Sequence, residues 1–296
     1  MKKTHLKAAI SLVGKILGIL GLVFVLYKLS QEYTLNSFFQ QLSLIYHTLP
    51  ILFFLNLIST LLGIYAWHIM LLNYAATPFG YKTSYYYFAK TEIAKYLPGN
   101  IFHFVGRQAL ASQIGITQAQ MAKISLLFSL LLLASTVISS TLFACLADNI
   151  PLYILTLMGL SCMIIIIISA YIYPSFPIKE KLKMNALLSL SVTLQGLMLG
   201  IIILIQSDHL SIGVFFECTS IYILSWLIGF ITPGASGGLG IREGTFITIT
   251  AFLHLSIASD VIVFSVLLVR FINILVDIGI YLSTLVLKNN IKGLEV

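Results

Sequence analysis

Long apolar runs repeat along almost the whole of this 296-residue chain, and they constrain its fold more than any other feature. A helix needs about 20 apolar residues to cross the hydrocarbon core of a bilayer. Hydrophobic residues make up 59% of the sequence and charged residues only 9%, too few to cover the surface of a water-soluble protein of this size. The runs occupy residues 8–29, 48–73, 120–147, 151–173, 185–206, 210–231, 243–258 and 261–286.

These runs predict an all-α, polytopic membrane helix bundle with about eight spans, and they exclude a soluble enzyme. We expect a single integral membrane domain over 1–296, with half-repeats at about 1–147 and 151–286. Residues 34–47 place apolar side chains at helical spacing between polar ones, which favours a helix lying in the membrane interface.

The excess of basic residues indicates an orientation in the membrane. Lys and Arg number 17 against 10 Asp and Glu, so the net charge is +7. With the N-terminus inside, every basic residue except Lys28 and Arg270 falls on the cytoplasmic side, as the positive-inside rule requires. We therefore expect a multi-pass protein of the cell (inner, cytoplasmic) membrane with cytoplasmic termini and no nucleic-acid partner. Trp67 and Trp226 fit the aromatic belts at the membrane surfaces.

The segment over 77–119 fits neither a span nor a simple loop. It is longer than the connections usual in compact helical proteins, and its polar residues interrupt it too often for a crossing. A segment that enters the membrane and returns explains both its length and its composition, provided that it is buried in protein or lines a wet cavity.

Two parts of the sequence share one pattern, which is Pro-Gly, then seven residues, then Arg. The first Pro-Gly segment, residues 92–107, reads from Glu92 through Pro98-Gly99 to Arg107. The second Pro-Gly segment, residues 233–243, runs from Pro233-Gly234 to Arg242-Glu243. One match carries little weight, because Pro-Gly is a common turn. Two matches in the two halves of a membrane protein are typical of transporters built from repeats, whose substrate site lies where interrupted helices meet.

The chemistry of these segments suits a phosphate. Pro and Gly break a helix and leave backbone N–H groups unpaired, and those groups, helix N-terminal dipoles and an arginine fork all attract a phosphate. The simpler interpretation is a pair of cytoplasmic turns whose arginines obey the positive-inside rule.

Read together, the two segments resemble the paired signature of the lysylphosphatidylglycerol synthase transmembrane family, also described as flippase-like integral membrane proteins. The residues that carry the resemblance are 95–107, KYLPGNIFHFVGR, and 233–244, PGASGGLGIREG. The resemblance implies a membrane domain that moves aminoacylated phospholipid or other lipid-linked material between leaflets. Some members add a soluble aminoacyltransferase domain; we expect none here, so the resemblance does not imply lysine transfer to lipid.

Arg270 is an ionisable residue near the middle of the last apolar run, which makes it a functional-site hypothesis by default. Asp277 lies on the same helical face but about 10 Å further along the axis, too far for a direct bond. Arg270 therefore needs another partner, which is Glu243, Glu92 or a lipid phosphate. Its role is open between a structural ion pair and substrate binding, unless the span is misplaced.

The leading hypothesis is a lipid translocase whose two segments form a polar cavity, with membrane lipid, phospholipid or polyprenyl-phosphate-linked, as its partner. The alternatives are an enzyme acting on lipid headgroups, with Glu92 or Glu243 as base, and a scaffold for a separate lipid-modifying enzyme. Histidine and cysteine spacing predicts no metal. We also expect no cofactor and no catalytic residue, because the sequence shows no nucleotide-binding loop and no nucleophile–base pair. His103 is either a proton switch or a packed side chain. The predicted substrate-binding residues are Lys90, Glu92, Lys95, Pro98, Gly99, Asn100, His103, Arg107, Pro233, Gly234, Gly237, Gly238, Arg242, Glu243, Arg270 and Asp277.

Overall fold

The computed structural model describes residues 35–75, 78–96, 102–148, 150–172, 177–207, 210–232 and 236–291, and every regular element within them is helical. Short 3₁₀ turns cover Tyr46–Thr48, Ile93–Tyr96, Ala111–Ile114 and Ser236–Gly238. The α-helices are α1 (Leu35–Ile45), α2 (Leu49–Leu72), α3 (Tyr81–Glu92), α4 (Phe102–Leu110), α5 (Gln118–Ala144), α6 (Leu152–Ile172), α7 (Ile178–Gln206), α8 (Ile212–Ile231), α9 (Ile241–Phe252) and α10 (Ser259–Ile291).

Five stretches of helix in the described ranges are long and apolar enough to cross a membrane. They are Phe39–Leu72, Gln118–Ala144, Ile178–Gln206, Ile212–Ile231 and Ser259–Leu287. The prediction of an all-α membrane protein is therefore confirmed at this level. The run at 151–173 also forms a helix, α6, whereas the run at 8–29 lies outside the described residues.

The run at 243–258 differs from the expected span. It forms only the 12-residue helix α9, which at 1.5 Å per residue is about 18 Å long and cannot cross a core of about 30 Å. The chain turns after Phe252, and His254 takes a left-handed backbone conformation with φ +51°. The hydropathy pattern does not reveal this turn, because the residues on both sides of it are apolar.

Side-chain caps and serine pairs fix the long helices in place. Thr117 begins α5 with a capping box, accepting from the Gln120 N–H while the Gln120 side chain accepts from the Thr117 N–H. Helices α2 and α7 are joined by Ser59 and Ser191, each of which donates to the other's carbonyl oxygen at 2.9 and 2.8 Å. Hydroxyls that pair between helices in this way allow close packing where hydrophobic attraction between helices is weak.

Helix α3 runs beside α10 toward the middle of that long helix. Its Tyr85 hydroxyl lies 2.7 Å from the Ser283 hydroxyl, and Tyr96, at the end of the following 3₁₀ turn, donates to Asp277 Oδ2 at 2.5 Å. The Tyr96 ring also lies under the guanidinium of Arg270, 5.5 Å away. Since 13 residues of helix separate Ser283 from Arg270, the tip of α3 reaches about 20 Å along α10.

The described parts of both Pro-Gly segments lie in short elements between long helices. Residues 92–96 and 102–107 belong to α3, α4 and a 3₁₀ turn between α2 and α5, and residues 236–243 lie between α8 and α10, in a 3₁₀ turn and the start of α9. The 12-residue α3 and the 9-residue α4 are each too short to cross a bilayer. Residues of both described parts lie beside residues from the middles of the long helices.

Candidate functional site

A cavity of about 150 Å³ lies where the two Pro-Gly segments meet. Residues from the middle of α2, α5, α7 and α10 line it, together with both segments. The two segments approach each other directly, because the Tyr96 ring lies 3.4 Å from the position that a Cβ on Gly237 would occupy. Its charged lining residues are Glu92, Lys95, Arg107, Arg242, Arg270 and Asp277.

Ion pairs join the charges of the first segment to one another and to α10. Arg107 Nη2 donates to Glu92 Oε2 at 2.9 Å. The ammonium of Lys95 lies 3.2 Å from Glu92 Oε1 and 2.9 Å from Asp277 Oδ2. Burial raises the pKa of Glu92, but the charges of Lys95 and Arg107 outweigh it and hold the pKa at about 2. Both cations of this segment therefore already have ionised carboxylate partners.

Aromatic rings enclose the guanidinium of Arg107. Its central carbon lies 4.4 Å from the ring centroid of Trp67, 4.9 Å from Phe88, 5.8 Å from Phe104 and 5.9 Å from Phe128. Only 1% of Trp67 is exposed, so the prediction that this residue belongs to an interfacial belt is wrong. The hydropathy pattern could not show that a buried arginine would need an aromatic face to replace water.

The second segment is held by backbone contacts. Arg270 Nη1 donates to the carbonyl of Gly237 at 2.9 Å, across a turn in which Gly237 and Gly238 take φ +55° and +74°. These values are in the left-handed region that glycine adopts without strain. Glu243 Oε2 accepts from the Gly240 N–H at 2.8 Å, and its other oxygen lies 3.9 Å from Arg270 Nε.

Arg242 is the least compensated charge of the site. In the described ranges no carboxylate lies within 4.0 Å of it, and its Nε has no hydrogen-bond partner. Its guanidinium lies 5.5 Å from the ring centroid of Trp226, a half-buried residue that lines the cavity. Burial lowers the pKa of Arg242, and the positive charge of nearby Arg270 lowers it further. Two guanidiniums thus share the single carboxylate of Glu243.

The structure places the predicted residues unevenly. Lys90 is exposed, donates to the Tyr86 hydroxyl at 3.2 Å and does not line the cavity. His103 lines it, with Nδ1 buried and unpaired among the described residues, and burial lowers the pKa of its imidazole to about 4. A neutral ring at physiological pH does not favour the proton switch. Pro98, Gly99, Asn100, Pro233 and Gly234 lie outside the described residues.

Polar residues of the long helices complete the lining, and the sequence argument did not assign them to the site. Asn56 donates from its amide to Asn273, and Gln195 donates to Ser59 at 3.2 Å. Tyr96 connects the two segments through Asp277 and Arg270. A search for amides within apolar runs would have found Asn56, Asn273 and Gln195. The lining residues of this kind are Asn56, Ser59, Thr60, Tyr96, Ser129, Ser191, Gln195 and Asn273.

The arrangement is suited to holding an anion. Four cations, Lys95, Arg107, Arg242 and Arg270, line the cavity with the carboxylates of Glu92 and Asp277, and Glu243, which does not line it, lies 3.9 Å from Arg270. Among the described residues, no group of three or more His, Cys, Asp or Glu side chains is placed to hold a metal ion. Comparison with protein-family models, with curated proteins and with solved structures gave no match. Function must therefore be argued from the chemistry of the cavity.

Proposed function

We propose that this protein is a lipid translocase that moves an anionic or aminoacylated phospholipid, or another lipid-linked phosphate, between the leaflets of the membrane. The observation that carries the proposal is the convergence of both Pro-Gly segments on one cationic cavity at the middle of the long helices. Two turns lying on the cytoplasmic surface would not place Tyr96 and Gly237 in contact beside Arg270.

A phosphate group fits the donors of the cavity. Guanidinium groups offer planar pairs of N–H donors that match phosphate oxygens, and they keep their charge when buried. Arg242 and Arg270 are only 7% and 6% exposed, so an anion that binds there exchanges water for fixed donors. The carboxylates balance part of the positive charge, which keeps the empty cavity from carrying four uncompensated cations.

Translocation needs a polar site inside the bilayer, and the depth of this cavity supports it. Its lining residues Ser59, Ser129 and Ser191 lie near the middles of three apolar helices that are long enough to cross. Headgroup and phosphate would occupy the cavity while the acyl chains stay in or beside the bilayer. Crossing would follow from rocking of the two half-repeats, about 1–147 and 151–286, around the fixed site.

The resemblance of both segments to the lysylphosphatidylglycerol synthase transmembrane family agrees with this proposal. We place the protein in the cell membrane with both termini in the cytoplasm, on the distribution of basic residues. Its immediate partner is then a membrane lipid, and a separate lipid-modifying enzyme would supply an aminoacylated or otherwise modified substrate. The alternatives are an enzyme acting on lipid headgroups and a scaffold for a separate lipid-modifying enzyme, and neither of them requires lipid movement between leaflets.

The test is lipid movement in vesicles that contain the purified protein. Phosphatidylglycerol with a fluorescent acyl chain is placed in both leaflets, and a membrane-impermeant reductant then bleaches the outer one. We expect wild-type protein to expose the inner pool, and the double variant Arg107→Ala with Arg242→Ala to leave about half of the signal protected, as in protein-free vesicles. Lys82→Ala, at an exposed position at the start of α3, is the control and should behave as wild type.

Two results would overturn the proposal. Equal rates of lipid movement for the wild type and the double variant would show that the cavity has no role in translocation. A wild type no faster than protein-free vesicles, for both phosphatidylglycerol and its lysylated form, would favour the scaffold or the enzyme.

A further inference from the structure

The two halves of the cavity differ in their charge balance. On the first side Lys95 and Arg107 meet Glu92 and Asp277, so each cation is within 3.2 Å of a carboxylate. On the second side the described residues place one carboxylate, Glu243, within 4.0 Å of Arg270 and none within 4.0 Å of Arg242. That carboxylate already accepts from the Gly240 N–H and lies no nearer than 3.9 Å to an arginine.

Unused donors are concentrated on the second side. Arg270 has two buried nitrogens, Nε and Nη2, that make no hydrogen bond with the described residues, and Arg242 has its Nε. A buried donor of a charged group that stays unpaired costs about 1–3 kcal/mol or more, so a group that satisfies several of them binds strongly. Among the described residues of the first side, Arg107 has one unpaired nitrogen of this kind, Nε, and the central carbon of its guanidinium lies 4.4 Å from the ring centroid of Trp67.

We propose that the anion binds between Arg242 and Arg270, and that this subsite accepts a phosphodiester, which carries one negative charge. The reason is the charge balance of the second side, where two guanidiniums and one carboxylate leave one positive charge. A single monoanion neutralises that charge, whereas a phosphomonoester dianion or a diphosphate leaves buried negative charge beside Glu243. The ion-paired residues of the first side, Glu92, Lys95, Arg107 and Asp277, then have a structural role, which is to hold Tyr96 and Arg270 in position.

As far as it concerns a lipid, this inference rests on the proposed function, and it adds that the phosphate which binds between Arg242 and Arg270 carries a single negative charge.

Binding in detergent tests the subsite without requiring transport. The probes are dihexanoyl-phosphatidylglycerol, a monoanion, and dihexanoyl-phosphatidic acid, which is mostly a dianion at pH 8 because the second pKa of a phosphomonoester is about 6 to 7. Calorimetric titration of the purified protein should give roughly tenfold or greater preference for phosphatidylglycerol. Inorganic phosphate is the third probe, and binding as tight as that of phosphatidylglycerol would overturn the assignment to a lipid phosphodiester.

Charge-matched variants then locate the site. Arg270→Gln and Arg107→Gln remove the same charge from the same cavity, but Arg107 is paired with Glu92 at 2.9 Å, whereas Arg270 has two unpaired buried nitrogens and lies 3.9 Å from Glu243. We expect Arg270→Gln to weaken phosphatidylglycerol binding roughly 10- to 100-fold, the equivalent of losing one charged hydrogen bond, and at least tenfold more than Arg107→Gln does. If both variants weaken binding equally, then the net charge of the cavity alone determines the affinity, and the assignment of the anion to the space between Arg242 and Arg270 is wrong. If Arg270→Gln does not fold, Arg242→Gln replaces it with the same expectation.

Glu243→Gln tests the preference for a monoanion. The amide oxygen of glutamine can still accept from the Gly240 N–H, so the turn is kept while one negative charge is removed. The second side then carries two positive charges, and the preference should shift toward phosphatidic acid by roughly tenfold. An unchanged preference would overturn the charge argument. Wild-type binding as proposed together with no lipid movement in vesicles would instead reject only the translocase.

Discussion

The two Pro-Gly segments share a sequence pattern but differ in how their arginines are paired. Arg107 is closed in by Glu92 and aromatic rings, whereas Arg242 has no carboxylate within 4.0 Å among the described residues. The cause is the position of each glutamate relative to its arginine. Glu92 lies 15 residues before Arg107 on another helix, from which it can face the guanidinium. Glu243 follows Arg242 directly on α9, and neighbouring residues of a helix point in different directions.

This difference shows that a repeated sequence pattern need not repeat the pairing of its charges. In the first segment the arginine is part of the scaffold, because its charge is satisfied within the protein. In the second segment the arginines keep unused donors beside the cavity. The following substitutions distinguish residues that stabilise the fold from residues that bind the anion. They begin with the charged residue whose removal should lower stability most.

Glu92→Ala should cause the largest loss of stability. It leaves Arg107, which is 5% exposed, without its carboxylate, and removing one partner of a buried ion pair typically costs about 3–5 kcal/mol. Thermal unfolding in detergent measures the effect, with Glu180→Ala at the first turn of α7 as the control. A melting temperature equal to that of the control would mean that the first segment is not a closed ion-pair network.

The link between Tyr96 and Asp277 should have the next largest effect. Tyr96→Phe removes a hydroxyl that donates to the carboxylate at 2.5 Å, and a hydrogen bond to a charged group contributes about 1.5–3 kcal/mol. A double-mutant cycle with Asp277→Ala isolates that contribution, because alanine cannot accept the hydrogen bond. We expect a coupling energy above about 1 kcal/mol. Additive effects of the two changes would show that the first segment is not tied to α10 through this bond.

The helix content could be predicted from the sequence, because apolar runs are local signals, and the pattern also singled out the charged residues that line the cavity, Glu92, Lys95, Arg107, Arg242, Arg270 and Asp277. The pairing of charges could not be predicted, because it depends on contacts between distant positions. Lys95 meets Asp277, and Arg270 donates to Gly237, only after the helices have packed. Charge pairing in the site is therefore harder to predict than the helices, because the paired residues are far apart in the sequence.

The two tryptophans should respond differently to the same substitution. Trp67→Phe shortens a buried ring that lies 4.4 Å from the guanidinium of Arg107, so we expect a loss of stability of about 1–2 kcal/mol. Trp226→Phe changes a half-buried ring of the cavity, so it should weaken phosphatidylglycerol binding more than it lowers the melting temperature. The opposite pattern, in which Trp226 matters for folding and Trp67 for binding, would reverse the roles of the two segments.

Lys90 should give the smallest effect. It lies five residues before Lys95, and five residues of helix rotate a side chain by about 140°, so the two lysines leave α3 and its 3₁₀ turn on different faces. Its ammonium lies beside Tyr86, and its side chain is exposed. An exposed substitution of this kind changes stability by less than about 0.5 kcal/mol. Lys90→Ala should therefore leave both the melting temperature and the phosphatidylglycerol affinity unchanged. A loss of affinity as large as that of Arg270→Gln would instead place the anion outside the cavity. The two segments would then no longer differ in their role in anion binding.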